Sequence, residues 1–76
     1  MRRGLLYLMN KEDAMPRYQF LNIETGHLII ANPREAALQL ALNEAAVIDA
    51  TRDVNVGLPS TILVEDRIYE VLPLLS

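Results

Sequence analysis

One histidine, ten acids and no cysteine bound the chemistry open to this chain. His27 is the one side chain whose ordinary pKa places its charge change near neutral pH, which suits a general base or a metal ligand. It follows the turn residue Gly26, and no serine, threonine or cysteine stands at a nucleophile-motif spacing from it. An ordinary histidine at a strand edge accounts for it better. Asp49 and Asp53 are four residues apart and would share one side of a helix, a spacing that could offer two carboxylates to a divalent cation. Arg52 lies between them and competes for either acid, and a hard cation takes about six oxygen ligands rather than two. Glu65, Asp66 and Glu70 form a small acidic group just after Ser60-Thr61, with no glycine-rich phosphate loop and no metalloprotease helix motif. No carboxylate pair can be given separate acid and base roles. The sequence therefore reads as non-enzymatic, with no catalytic residue, no cofactor and no metal.

The scaffold for these residues is small. Seventy-six residues suit one domain, and a domain of this size buries only roughly 60–65% of the surface its unfolded chain exposes. Without cysteine there is no disulfide framework, and with one histidine there is no soft metal-ligand set. Oligomerisation or a partner is the remaining way to stabilise so small a core. Cysteine-free composition fits a reducing cytoplasm, the compartment expected here. The apolar run of residues 4–9 is too short for an export signal and stops at Asn10-Lys11-Glu12-Asp13. No apolar stretch approaches the roughly 20 residues that span a bilayer, so no membrane association is expected.

Net charge is −3 and unevenly spread. Arg2, Arg3, Lys11 and Arg17 against Glu12 and Asp13 leave residues 1–20 at +2, whereas three arginines against eight acids leave the rest at −5. An acidic body argues against nucleic acid as a partner, because that affinity rests on clustered Lys and Arg releasing counterions from phosphate. Arg2 and Arg3 could still touch an acidic protein patch or a phosphate.

Residues 1–16 read as a leader holding one short strand or partly disordered, and residues 17–76 as a single α+β domain. Tyr18, Phe20, Ile23, Ile29 and Ile30 lie in two β-rich runs joined by Glu24-Thr25-Gly26, a hairpin signal whose last residue wants a positive φ. Asn32, Pro33 and Glu35 spell a helix start, with an N-cap, a preset φ and a capping box. Alanine-rich sequence without Gly or Pro then predicts one helix over about 33–50. Residues 51–60 read as a connection with a brief extended piece at Val54 and Val56. Ile62-Leu63-Val64 and Ile68 to Leu72 read as strands around Glu65-Asp66-Arg67, either a hairpin or one kinked strand. The fold class is a small antiparallel sheet in the order β-β-α-β-β, with room for an N-terminal strand and with one helix on one face.

Projection at 100° per residue gives that helix two apolar sides. Ala37, Leu38, Ala41, Leu42, Ala45 and Ile48 form the wider arc, expected to lie on the sheet. Leu40 and Val47, with Ala36 beside them, would then face outward, so Leu40→Asp and Val47→Asp should spare the fold. The strands are apolar on both sides: Tyr18 and Phe20 alternate with Leu21 and Ile23, and Leu28 and Ile30 with Ile29 and Ala31. One helix cannot cover both faces. These features predict a small regulatory or adaptor protein that binds another protein through excess apolar surface. The partner would be a second copy, making a homodimer, or a larger protein such as a component of the transcription machinery or another large enzyme. Ala36, Leu40, Val47, Arg2 and Arg3 are the candidate partner-binding residues. Two alternatives come from other classes: a homodimeric β-ribbon nucleic-acid-binding regulator, and a small enzyme subunit with a pocket near His27 and Tyr69.

Overall fold

The alternation in residues 18–31 folds as a hairpin. In the computed structural model, which describes residues 16–74, β1 spans Tyr18–Asn22 and β2 spans Leu28–Ala31. Tyr18 lies opposite Ala31 and Leu21 opposite Leu28. The turn between them is organised by Asn22, whose buried side-chain oxygen accepts the backbone N–H groups of Glu24 and Thr25 at 2.9 and 3.1 Å. Gly26 takes a φ of +79° and donates its N–H to the Asn22 carbonyl at 2.8 Å, a conformation that costs a residue with a Cβ more.

The first helix, α1 (Pro33–Leu40), starts at the capping box read in the sequence. Asn32 Oδ1 accepts the Glu35 N–H at 2.8 Å, and Glu35 Oε1 accepts the Asn32 N–H at 3.1 Å. The helix does not continue to residue 50. Ala41 turns into the left-handed region at φ +56°, and the Leu42 N–H donates to the Ala37 carbonyl at 2.8 Å. Asn43 then caps a second helix, α2 (Glu44–Asn55), its side-chain oxygen accepting the Ala45 N–H at 2.9 Å. A left-handed alanine costs about 1–2 kcal/mol, and Ala41 is exposed, so its methyl returns little packing. Ala41→Gly is accordingly expected to raise stability by about 1 kcal/mol in urea denaturation. A lowered midpoint would show that the chain does not break there.

The end of α2 corrects the reading of Val54 and Val56 as extended. Val54 is helical and partly buried against the core. Gly57, at φ +83°, donates to the Val54 carbonyl at 3.0 Å while Leu58 donates to the Asp53 carbonyl at 2.9 Å, the paired bonds of a Schellman termination. β3 (Ser60–Val64) and β4 (Arg67–Pro73) follow. Val64 pairs with Arg67, so this is a hairpin with a two-residue turn, closed by Glu65 at φ +58° in the absence of glycine.

The four strands make one antiparallel sheet in the order β2-β1-β4-β3. Both helices lie on one face, α1 over β2 and α2 over β3 and β4. Phe20 and Val47 are fully enclosed between sheet and helices, with Tyr18, Val64, Tyr69 and Val71 around them. The Tyr18 hydroxyl donates to Asn55 Oδ1 at 2.7 Å and ties β1 to the end of α2.

The sheet-facing side of the helical segment is only in part the one expected: Ala37 is buried and Leu42 packs partly buried against the core, but the residues expected to face outward are buried as well. Ala36 and Val47 are 0% exposed and Leu40 is 7%, whereas Leu38 is 77% exposed and Ala41 and Ala45 lie on the surface. The physical reason is length. Once α2 runs to residue 55, Leu40, Val47 and Val54 recur at seven-residue spacing, with Ala36, Ala50 and Thr51 close beside that line. The break at Ala41 also removes the continuity on which the wider arc depended.

Candidate interaction face

Because side chains alternate along a strand, burying Tyr18, Phe20 and Asn22 under the helices sends Gln19, Leu21 and Ile23 to the opposite face. The pairing register arranges that face in three rows. Ile30, Gln19 and Leu72 lie side by side, then Leu28, Leu21, Glu70 and Thr61, then Ile23, Ile68 and Leu63. Ile23 joins the last row through its N–H, which donates to the Ile68 carbonyl at 3.2 Å. Seven of these ten residues are aliphatic, and Ile23, Ile30 and Leu63 are 53%, 51% and 66% exposed. Leu21 and Leu72 are half-buried by their neighbours. Glu70 is the single charge, and the Gln19 amide is turned to the Pro73 carbonyl at 3.2 Å.

Four strands spaced 4.7–4.9 Å apart and about five residues long make a patch about 17 Å on a side. The whole face is about 300 Å², with Gln19, Glu70 and Thr61 among its aliphatic side chains, so its apolar part approaches the lower end of the largest patches on ordinary monomers, which are often functional. Each aliphatic side chain fully covered there would contribute about 1.5–3 kcal/mol, less what it already buries.

The candidate chemical groups are not gathered into a site. His27 is exposed at the start of β2, with its backbone N–H on Thr25 Oγ1 at 3.2 Å, and Tyr69 is buried beneath the helices. Arg52 pairs with Asp49 at 3.3 Å on an exposed helical surface, taking one of the two carboxylates that a cation would need. Arg67 does the same for Glu65 at 3.6 Å. Among the described residues no group of three or more His, Cys, Asp or Glu side chains is placed to hold a metal ion. An apolar groove of about 330 Å³ lies between the α2–β3 connection and the end of β4, lined by Val54, Leu58, Pro59, Leu72 and Pro73 with Glu70 as its one acid. Arg2, Arg3 and the strand expected at residues 4–9 fall outside the described residues. Among those described, no helix is long and apolar enough to cross a membrane.

No family model, no curated protein and no solved structure matches this chain. What the molecule does must therefore be read from its surface. Of the expected binding residues, Ala36, Leu40 and Val47 belong to the core, so their assignment to a partner surface is withdrawn. The face that is open had a signal in the sequence, the period-two alternation of Leu21, Ile23, Leu28 and Ile30 against the core residues. Leu63, Ile68 and Leu72 carry the same signal in the second hairpin, but with no glycine in the turn between β3 and β4 the sequence does not set their phase.

Proposed function

We propose that this is a small non-enzymatic protein that works by binding another protein through the uncovered sheet face. The observation that carries the reading is the three-row surface itself. Seven aliphatic side chains share one rigid plane, whereas the titratable groups are scattered and partly paired with one another. A flat apolar centre with a few polar groups is the make-up of the buried part of a protein–protein interface. The acidic body and the single charge on this face fit a protein surface better than a phosphate backbone.

The test is photocrosslinking in cells that express the protein, with a photoreactive side chain at Ile68 on the sheet face or at Leu38 on the helical surface. A discrete protein adduct is expected from Ile68 and not from Leu38, and Leu63→Asp should abolish it while leaving the circular dichroism native. An adduct formed equally from both positions, or one that survives Leu63→Asp, would overturn the proposal.

A further inference from the structure

We infer that the free edge of β2 pairs with β2 of a second copy of this chain, about a two-fold axis at Ile29, to make a continuous eight-stranded sheet. The argument starts from two hydrogen bonds. Asn22 donates its backbone N–H toward β2, to the His27 carbonyl at 2.9 Å, and Ile23 donates toward β4, to the Ile68 carbonyl at 3.2 Å. Backbone groups alternate sides along a strand. Even-numbered residues of β1 therefore bond to β2, and their register partners Ile29 and Ala31 point back at β1. Leu28 and Ile30 are left with both N–H and C=O directed away from the sheet.

Those outward groups are self-complementary. In an antiparallel pairing with Ile29 opposite Ile29 of the second copy, each Leu28 lies across from an Ile30, and four N–H···O=C bonds form, two on either side of the axis. The same register sets Leu28 against Ile30 on the open face, an aliphatic cross-strand pair made twice. Among the described residues no charge, proline or bulge guards this edge. Natural edges are often blunted by a charge, a proline, a bulge or shortness, and β2, four residues reading Leu-Ile-Ile-Ala between His27 and Asn32, has only the last of these. The opposite edge, β3, is built differently. Its outward residues are Thr61 and Leu63, so the equivalent pairing would set a hydroxyl against an aliphatic side chain, and the strand is bounded by Pro59 and by the acids Glu65 and Asp66.

This inference does not depend on the partner proposed for the sheet face, and its test is separate. Ile30→Pro removes the outward N–H and leaves the β1–β2 ladder intact, since Ile30 makes no ladder bond. Leu63→Pro does the same at the β3 edge. Sedimentation equilibrium of the full chain from micromolar to millimolar concentration is expected to give a dimer for the wild type and for Leu63→Pro, and a monomer for Ile30→Pro with native circular dichroism. In the wild type, amide exchange at Leu28 and Ile30 should slow as concentration rises, a reading that stands even where Ile30→Pro fails to fold. A wild-type monomer at millimolar concentration, a dimer that survives Ile30→Pro, dissociation by Leu63→Pro instead, or concentration-independent exchange at Leu28 and Ile30 would each overturn the inference.

Discussion

Val47→Asp is expected to unfold the protein. Val47 is fully enclosed and sits at the middle of the line formed by Leu40 and Val54, facing the sheet. Among the described residues, a carboxylate placed there would sit in the apolar core cluster. Either it ionises without solvent, or it stays protonated at a strongly raised pKa while its hydroxyl and carbonyl lie among apolar side chains. The loss of valine packing adds to either cost. Changes of this kind exceed about 4 kcal/mol, against a total stability of about 4–11 kcal/mol for a chain this long. Far-UV circular dichroism at neutral pH should show loss of helix and sheet. Ile48→Asp, one residue on and partly exposed, should change the urea midpoint by less than about 1 kcal/mol. Native circular dichroism and an unchanged midpoint for Val47→Asp would mean that the helices present their other side to the sheet.

The second large effect is expected at Phe20→Ala, a loss of about 3–5 kcal/mol. Phe20 lies on a central strand between Ile29 and Val71 and is fully buried below the helices. Its neighbours are held by the ladder on both sides, so the sheet has little freedom to close over the missing ring. Leu21→Ala, on the same strand but the opposite face, removes a half-buried side chain and should cost no more than about 1–2 kcal/mol. Equal costs at the two positions, read from urea midpoints at constant slope, would contradict a sheet with one dry and one wet face.

What could be read from the sequence was what short-range chemistry decides. The Asn32–Glu35 capping box and the Gly26 turn depend on residues within one turn of the chain, and both form. The break at Ala41 was hidden because alanine is the best helix former and the least expected left-handed residue. Its one local sign was Asn43, a good N-cap seven residues before the presumed helix end. The side of the helix that faces the sheet could not be chosen without knowing where α2 stops, and that depends on Gly57. The open sheet face was legible as an excess of apolar strand positions. Its rows were not, because they depend on β1 pairing with β4, strands about fifty residues apart whose register no local pattern specifies.

Tyr18 pairs with Pro73, so the first strand begins beside the point where the last one finishes. These two ends lie side by side at the middle of one end of the sheet, next to the Ile30–Gln19–Leu72 row. The Ile23–Ile68–Leu63 row lies about four residues further along the strands, or about 13 Å away. A domain whose two flanks meet in this way can be inserted into a loop of a host protein without stretching either junction. Such a graft would carry the domain with its far row turned outward and unobstructed by the host.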